Sequence, residues 1–456
     1  MKNSVIVLID GEHYPPVVKE AIQTIARNRP VVAAIFLGGM EKIETLDDIK
    51  DYYGIPIFFP KNMETIESIL PTILSQYPVK TVFDLSDDPV LDAKARMKLA
   101  SSFLYHGVTY EGADFVLNPM SFPNIVKKPT ISVFGSGKRV GKTAIAGYIA
   151  RTLKSDGFTP CVVTMGRGGP EEPELVDGSS IEITPEFLLQ IASQGQHAAS
   201  DYWEDALTSR VWTIGCRRCG GGMAGMPYTD NVKQGAQLAN DLPVDIVILE
   251  GSGPTIPPVA ADIFILVIGS NRPAYLALDY LGPYRVKLAN MVIITNCEPP
   301  STDAEELQQL IASIKEINPT AKVVETIFRP LPLDSIQDER VFFCTTASEG
   351  SMENITPYIE NTFQCEVVGF STNLSNRILL EKDLNSARGH YSTLLTELKA
   401  AAVDVVTKKA LNDGQRIVYC DNVPTPLNIS LDTFSTSLAH LVNKFVSQAP
   451  KPLKDG

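Results

Sequence analysis

The sequence predicts a three-part α/β protein. An N-terminal parallel-sheet domain spans residues 1–125, a P-loop NTPase-type α/β domain residues 126–345, and a small C-terminal α+β region residues 346–456. Three observations predict it. Short apolar runs alternate with helical patterns over the first 125 residues. An apolar run enters a glycine- and cation-rich turn at Gly135 and leaves it as a helix. A further apolar run ends in Glu250 and a glycine turn. Alternation of this kind is the signature of βαβ units and a parallel sheet, and 456 residues accommodate about three domains of roughly 150 residues each.

Along the chain, strands are expected from Val5 to Ile9, Val31 to Leu37, Ile55 to Phe59 and Thr81 to Leu85. The proline-rich segment Asn118-Pro-Met-Ser-Phe-Pro-Asn-Ile-Val-Lys-Lys-Pro129 reads as a linker. Beyond it, strands are expected at Pro160 to Thr164, Asp245 to Glu250, Ile263 to Ile268, Met291 to Thr295 and Lys322 to Thr326. The last part shows a helical pattern from Tyr391 to Lys408 and an apolar run from Arg416 to Cys420, with no internal repeat or low-complexity tract.

Composition narrows the function. A formal charge of −13 argues against general nucleic-acid or anionic-membrane binding, so local basic clusters carry more information. No stretch approaches the roughly 18 uninterrupted apolar residues of a membrane span. The run from Ser4 to Ile9 meets Asp10 without a cleavage site and reads as strand one. Seven cysteines, an odd number in a large chain, suit reduced thiols in a cytoplasm.

The most informative segment is Gly135, Ser136, Gly137, Lys138, Arg139, Val140, Gly141, Lys142 and Thr143, followed by an apolar helix carrying Ile145, Ile149 and Leu153 and stopped at Gly157. Backbone N–H groups of such a turn can hold phosphate oxygens, Lys142 reaches the outer phosphates, and the Thr143 hydroxyl can ligand Mg²⁺. Five residues separate Gly135 from Gly141, one more than in the standard loop. Nucleotide synthetases resembling dethiobiotin synthetase share this longer spacing.

Other candidates gather at predicted strand ends, where ligands collect in open α/β sheets. Glu250 is placed to approach Mg²⁺, or else caps its own turn. Asn296 offers the donor and acceptor of a purine-reading side chain, or satisfies its own loop. Arg217 and Arg218 lie between Cys216 and Cys219 amid glycines, which suits phosphate binding better than a lone CxxC suits a metal. Arg167 stands in a second glycine loop with Glu171, Glu172 and Glu174, either a phosphate and cation site or an acidic surface loop. His197 is a proton carrier, a phosphate donor or a structural histidine. Asp10, Glu12 and His13 follow strand one and are either ligand contacts or part of a helix start that Pro15 and Pro16 open.

The blocks Asp10-Gly-Glu-His13-Tyr-Pro-Pro16, Gly135-Ser-Gly-Lys-Arg-Val-Gly-Lys-Thr143, Met165-Gly-Arg-Gly-Gly-Pro-Glu-Glu-Pro173, His197-Ala-Ala-Ser-Asp-Tyr202 and Cys216-Arg-Arg-Cys-Gly-Gly-Gly-Met-Ala-Gly225 resemble the cyclic 2,3-diphosphoglycerate synthetases of methanogenic archaea. The resemblance runs over most of the chain and is weakest at the C-terminus. It implies ATP-dependent, Mg²⁺-requiring closure of 2,3-bisphosphoglycerate into its cyclic pyrophosphate, with ADP and phosphate released, by a cytoplasmic homodimer. K⁺ is a further candidate ion. On that basis Lys142, Lys138 and Arg139 are expected on the transferring phosphoryl group, Thr143 and Glu250 on Mg²⁺, and Arg167, Arg217 and Arg218 on the bisphosphate, with His197, Asp10, Glu12 and His13 as further substrate contacts. Two other readings stay open: a dethiobiotin-synthetase-like ligase acting on another acid, and a regulatory P-loop ATPase whose hydrolysis a partner protein stimulates.

Overall fold

The computed structural model describes residues 3–193, 201–399, 401–430 and 432–438. Two compact units emerge, residues 1–121 with 274–288, and residues 122–273 with 289–456.

In the first unit the apolar runs form β1 (Val5–Ile9), β2 (Val31–Phe36), β3 (Ile57–Phe58), β4 (Thr81–Asp84), β5 (Thr109–Glu111) and β6 (Val116–Leu117). Their spatial order is β3-β2-β1-β4-β5-β6, parallel except for the last pair. β1 is buried along its whole length because both faces of a central parallel strand are covered. Helix Pro15–Ala26 opens with its prolines where their missing N–H groups cost nothing. A later stretch, residues 274–288, also belongs to this unit. Its Asp279 pairs with Lys94 at 3.1 Å, and its Lys287 with Glu67 at 2.9 Å.

The second unit is built on β7 (Thr130–Gly135), β8 (Pro160–Gly166), β9 (Glu174–Asp177), β10 (Trp212–Cys219), β11 (Thr229–Asp230), β12 (Ile246–Glu250), β13 (Ile263–Gly269), β14 (Met291–Thr295), β15 (Lys322–Pro332), β16 (Arg340–Cys344), β17 (Glu366–Ser371), β18 (Thr393–Glu397) and β19 (Arg416–Pro426). These strands form one sheet in the order β11-β10-β8-β12-β7-β13-β14-β15-β19-β18-β16-β17, with β9 on β10. From β8 to β15 the pairs are parallel, and the antiparallel β15–β19 pair joins them to a second parallel set, β19-β18-β16-β17. The C-terminal region therefore extends the sheet that carries the phosphate loop. Ile131, Val133, Ile248 and Ile265 from neighbouring strands pack with Ile145 and Ile149 of helix Lys142–Ser155 in one apolar core.

The helical pattern expected from Tyr391 to Lys408 is corrected. Residues 393–397 form a wholly buried strand, followed by a π-helical stretch, Ala402–Thr407, and a short α-helix, Lys408–Asn412. A short apolar run reads alike as a buried strand or a buried helix turn, and pairing with both β16 and β19 decides for the strand. Among the described residues no helix is long and apolar enough to cross a membrane.

Candidate functional site

β7 delivers the phosphate loop to the carboxyl edge of the sheet, next to β12 on one side and β13 on the other. Gly141 sits at φ +88°, and a Cβ there would stand 2.3 Å from the Phe328 ring. Only glycine meets both demands. The turn is held from outside: the Arg272 guanidinium donates to the Lys138 carbonyl at 2.9 Å, and the Thr295 hydroxyl to the Val140 carbonyl at 3.0 Å. Lys142 is buried, its Nζ donating to the Gly137 carbonyl at 3.0 Å, so the ammonium spans the hollow of the loop. Burial pushes it down to about 8. A bound polyphosphate would reverse that shift, since an opposite charge favours the ammonium.

Glu250, at the end of β12, is fully buried and accepts from the Thr143 hydroxyl at 2.6 Å through Oε1. Burial, with the Asp201 carboxylate nearby, raises it to about 8. Asp205, on helix Asp201–Ser209, stands against it and is also raised by burial. If both carboxyls are ionised, neither Glu250 Oε2 nor either Asp205 oxygen has a donor, and one proton between them joins Glu250 to one Asp205 oxygen. Without that proton, the Glu250 carboxylate beside the Thr143 hydroxyl offers a hard oxygen donor set, which fits Mg²⁺.

These groups open on one cavity of about 600 Å³, lined also by Lys138, Arg139, Arg167, Asn296 and, from the C-terminal strands, Thr345, Thr346 and Lys399. Asn296 takes φ +61° at the end of β14, a conformation asparagine tolerates. The Arg167 guanidinium lies on the cavity wall close to Gly253, where an added Cβ would be 2.7 Å from Nη2. Arg218 stands behind that wall. Its Nη2 donates to the Ser252 carbonyl at 2.8 Å, its Nε is buried without a partner, and burial and Arg167 lower its pKa. Two guanidiniums this close repel each other, a repulsion that an anion between them would relieve.

Neighbouring residues on a strand leave it on opposite faces, which separates the two arginines of β10. Arg217 is 48% exposed, lies 3.7 Å from Glu171 and does not line the cavity. The same geometry parts Cys216, which is buried, from Cys219, which is exposed. All seven cysteines are free thiols. Among the described residues no group of three or more His, Cys, Asp or Glu side chains is arranged to hold a metal.

Asp10, Glu12 and His13 belong to the other compact unit. Asp10 accepts from the Glu12 N–H at 3.0 Å, the Asp87 N–H at 2.7 Å and His13 Nδ1 at 2.8 Å, so it braces the loops after β1 and β4. His197 lies outside the described residues. Not singled out from the sequence were Asp201, Glu204 and Asp205, which occupy the first turns of one helix, and the C-terminal Thr345, Thr346, Glu397 and Lys399. The carboxylate spacing of residues 201–205 was a readable signal for the first group. The second depends on strand pairing far along the chain.

Three sequence models of one family match in succession: the cyclic 2,3-diphosphoglycerate synthetase N-terminal domain over residues 4–118, its P-loop domain over 130–327 and its C-terminal domain over 332–423. Curated relatives bearing the name cyclic 2,3-diphosphoglycerate synthetase include those of Methanothermus fervidus (45% identical, covering 96% of this chain and 96% of the relative) and Methanothermobacter thermautotrophicus (44%, 97% and 97%). That of Thermococcus gammatolerans is 47% identical over 93% of this chain and 94% of its own. With all three domains matched in order and identity near one half throughout, the chain belongs to the cyclic 2,3-diphosphoglycerate synthetase family.

Proposed function

We propose that the enzyme closes 2,3-bisphosphoglycerate into cyclic 2,3-diphosphoglycerate at the expense of ATP. The observation that carries this reading is the single cavity in which the phosphate loop and the Thr143–Glu250 pair face the Arg167 wall. In the first step an oxygen of one substrate phosphate attacks the γ-phosphorus of ATP, the bond to the β-phosphate oxygen breaks, and ADP leaves. In the second an oxygen of the other substrate phosphate attacks the inner phosphorus of the new anhydride. Its bridging bond to the outer phosphate breaks, and inorganic phosphate departs.

Every participant is a polyanion, so alignment and neutralisation outweigh base strength. Lys142 holds the β and γ oxygens from inside the loop, with Lys138 and Arg139 above them, and Asn296 faces the base. Arg167, backed by Arg218, holds one phosphate of the acid. Mg²⁺ held by Thr143 and Glu250 would neutralise charge on the triphosphate oxygens. By family resemblance the enzyme is further proposed to be a cytoplasmic homodimer, with K⁺ as an accessory ion.

The test is ³¹P NMR of the protein with Mg-ATP and 2,3-bisphosphoglycerate. A new pair of pyrophosphate resonances appearing together with ADP and phosphate is expected. Unchanged bisphosphate, whether or not ATP is hydrolysed, would overturn the reading.

A further inference from the structure

The cavity has a second wall that the chemistry above leaves unused. It comes from β16, β17 and β18, which run parallel and present their carboxyl ends to the same space as the phosphate loop. In the order β19-β18-β16-β17 the direction of chain progress reverses between β16 and β18. At such a reversal the following loops part and leave a crevice, where ligands sit in open α/β sheets. The phosphate-loop strands have their own reversal at β7, so the cavity lies between two ligand edges.

Thr345 and Thr346 follow β16, Glu397 is the last residue of β18, and Lys399 lies two residues beyond it. The negative charge of Glu397 is answered on the spot, by the Thr345 hydroxyl, the Thr346 N–H at 3.2 Å and the Thr346 hydroxyl at 2.8 Å. Lys399 lies on the cavity wall with a third of its side chain accessible, and its Nζ donates to both Glu204 oxygens at 2.6 Å. Burial pushes Glu204 up to about 7, whereas at Lys399 the pull of burial is outweighed by Glu204 and Glu397, which push it up, so the ammonium keeps its charge at the cavity wall. The π-helical stretch Ala402–Thr407 starts three residues beyond Lys399, and such stretches gather at functional sites.

We propose, resting on the reading of function above, that Lys399 is a substrate-binding residue: it takes the anionic group of the phosphorylated acid that Arg167 does not hold. The acid then spans the cavity from the β8 wall to the β18 wall. Anchored at both ends, the acid is held in one orientation beside the phosphate loop.

The experiment compares wild type with Lys399→Met, Lys399→Arg and the doubly neutral Glu204→Gln/Lys399→Met, which keeps the packing without an orphaned carboxylate. KM for 2,3-bisphosphoglycerate and for ATP are measured separately, with thermal melts as the folding control. Loss of one charge-assisted contact predicts a rise of about ten- to a hundredfold in the bisphosphate KM for both Met variants, a KM for ATP within about twofold, and partial rescue by Lys399→Arg. An unchanged bisphosphate KM in a folded Met variant overturns the role of Lys399 while leaving the proposed function intact. A fall in melting temperature with both KM values unchanged does the same and makes the ion pair a structural bridge. A wild-type enzyme that forms no cyclic product overturns the proposed function and this role together.

Discussion

Lys142 concentrates the electrostatics of the phosphate loop in one buried ammonium held on the Gly137 carbonyl. Replacing it with alanine should lower the rate of ADP formation by about a hundred- to a thousandfold, the usual cost of losing one preorganised charge at a transferring group. Steady-state ADP release checks this. The three arginines should separate by position. Arg167→Ala, on the cavity wall, should raise the bisphosphate KM by about tenfold or more. Arg218→Ala, one layer behind, should do so less, and Arg217→Ala, exposed and beside Glu171, should stay within about twofold. Equal losses at Arg217 and Arg218 would contradict the strand geometry that sends them to opposite faces. From the sequence the two arginines look alike, because adjacency says nothing about face until β10 is known to be extended.

Elements were most legible where the chemistry of the chain leaves one choice. The run Met291–Thr295 is a five-residue apolar stretch bounded by polar residues, and it forms β14 with the bounds expected. The turn before helix Lys142–Ser155 is fixed by Gly141, where φ +88° and the Phe328 ring together forbid a side chain. Gly141→Ala should therefore displace Phe328 or the loop itself, costing about 1–3 kcal/mol for the backbone conformation alone. The measurable result is a lower melting temperature and loss of nucleotide binding in a titration with a fluorescent ATP analogue. Thr393–Glu397 was illegible for the converse reason. Buried on every side, it carries no alternation, and its identity as a strand comes from β16 and β19, more than fifty residues before it and about twenty after. The Lys399 wall inherits that obscurity.

At the scale of the whole molecule, clustering of buried acids around two cations, Lys142 and Lys399, ties stability to pH. Glu204 and Glu250 are raised by burial from 4.5 to about 7 and about 8, so the folded state binds protons more tightly than the unfolded chain there. The stability each contributes is fully present below about 4.5 and is lost as pH rises through about 7 and about 8. Lys142 is lowered from 10.5 to about 8, and the strain of burying its charge, full below about 8, is relieved as pH climbs towards 10.5. The melting temperature of the ligand-free enzyme should thus fall from about pH 5 to about pH 8 and level off or turn upward beyond it. Glu250→Gln should flatten the descending part by removing one of the carboxyls that must ionise in the interior. Calorimetry at constant ionic strength decides the matter: a melting temperature that rises steadily over the same interval would mean that these carboxyls are ionised and stabilised in the folded enzyme. In that event the shared proton between Glu250 and Asp205 would have no place in the ligand-free site.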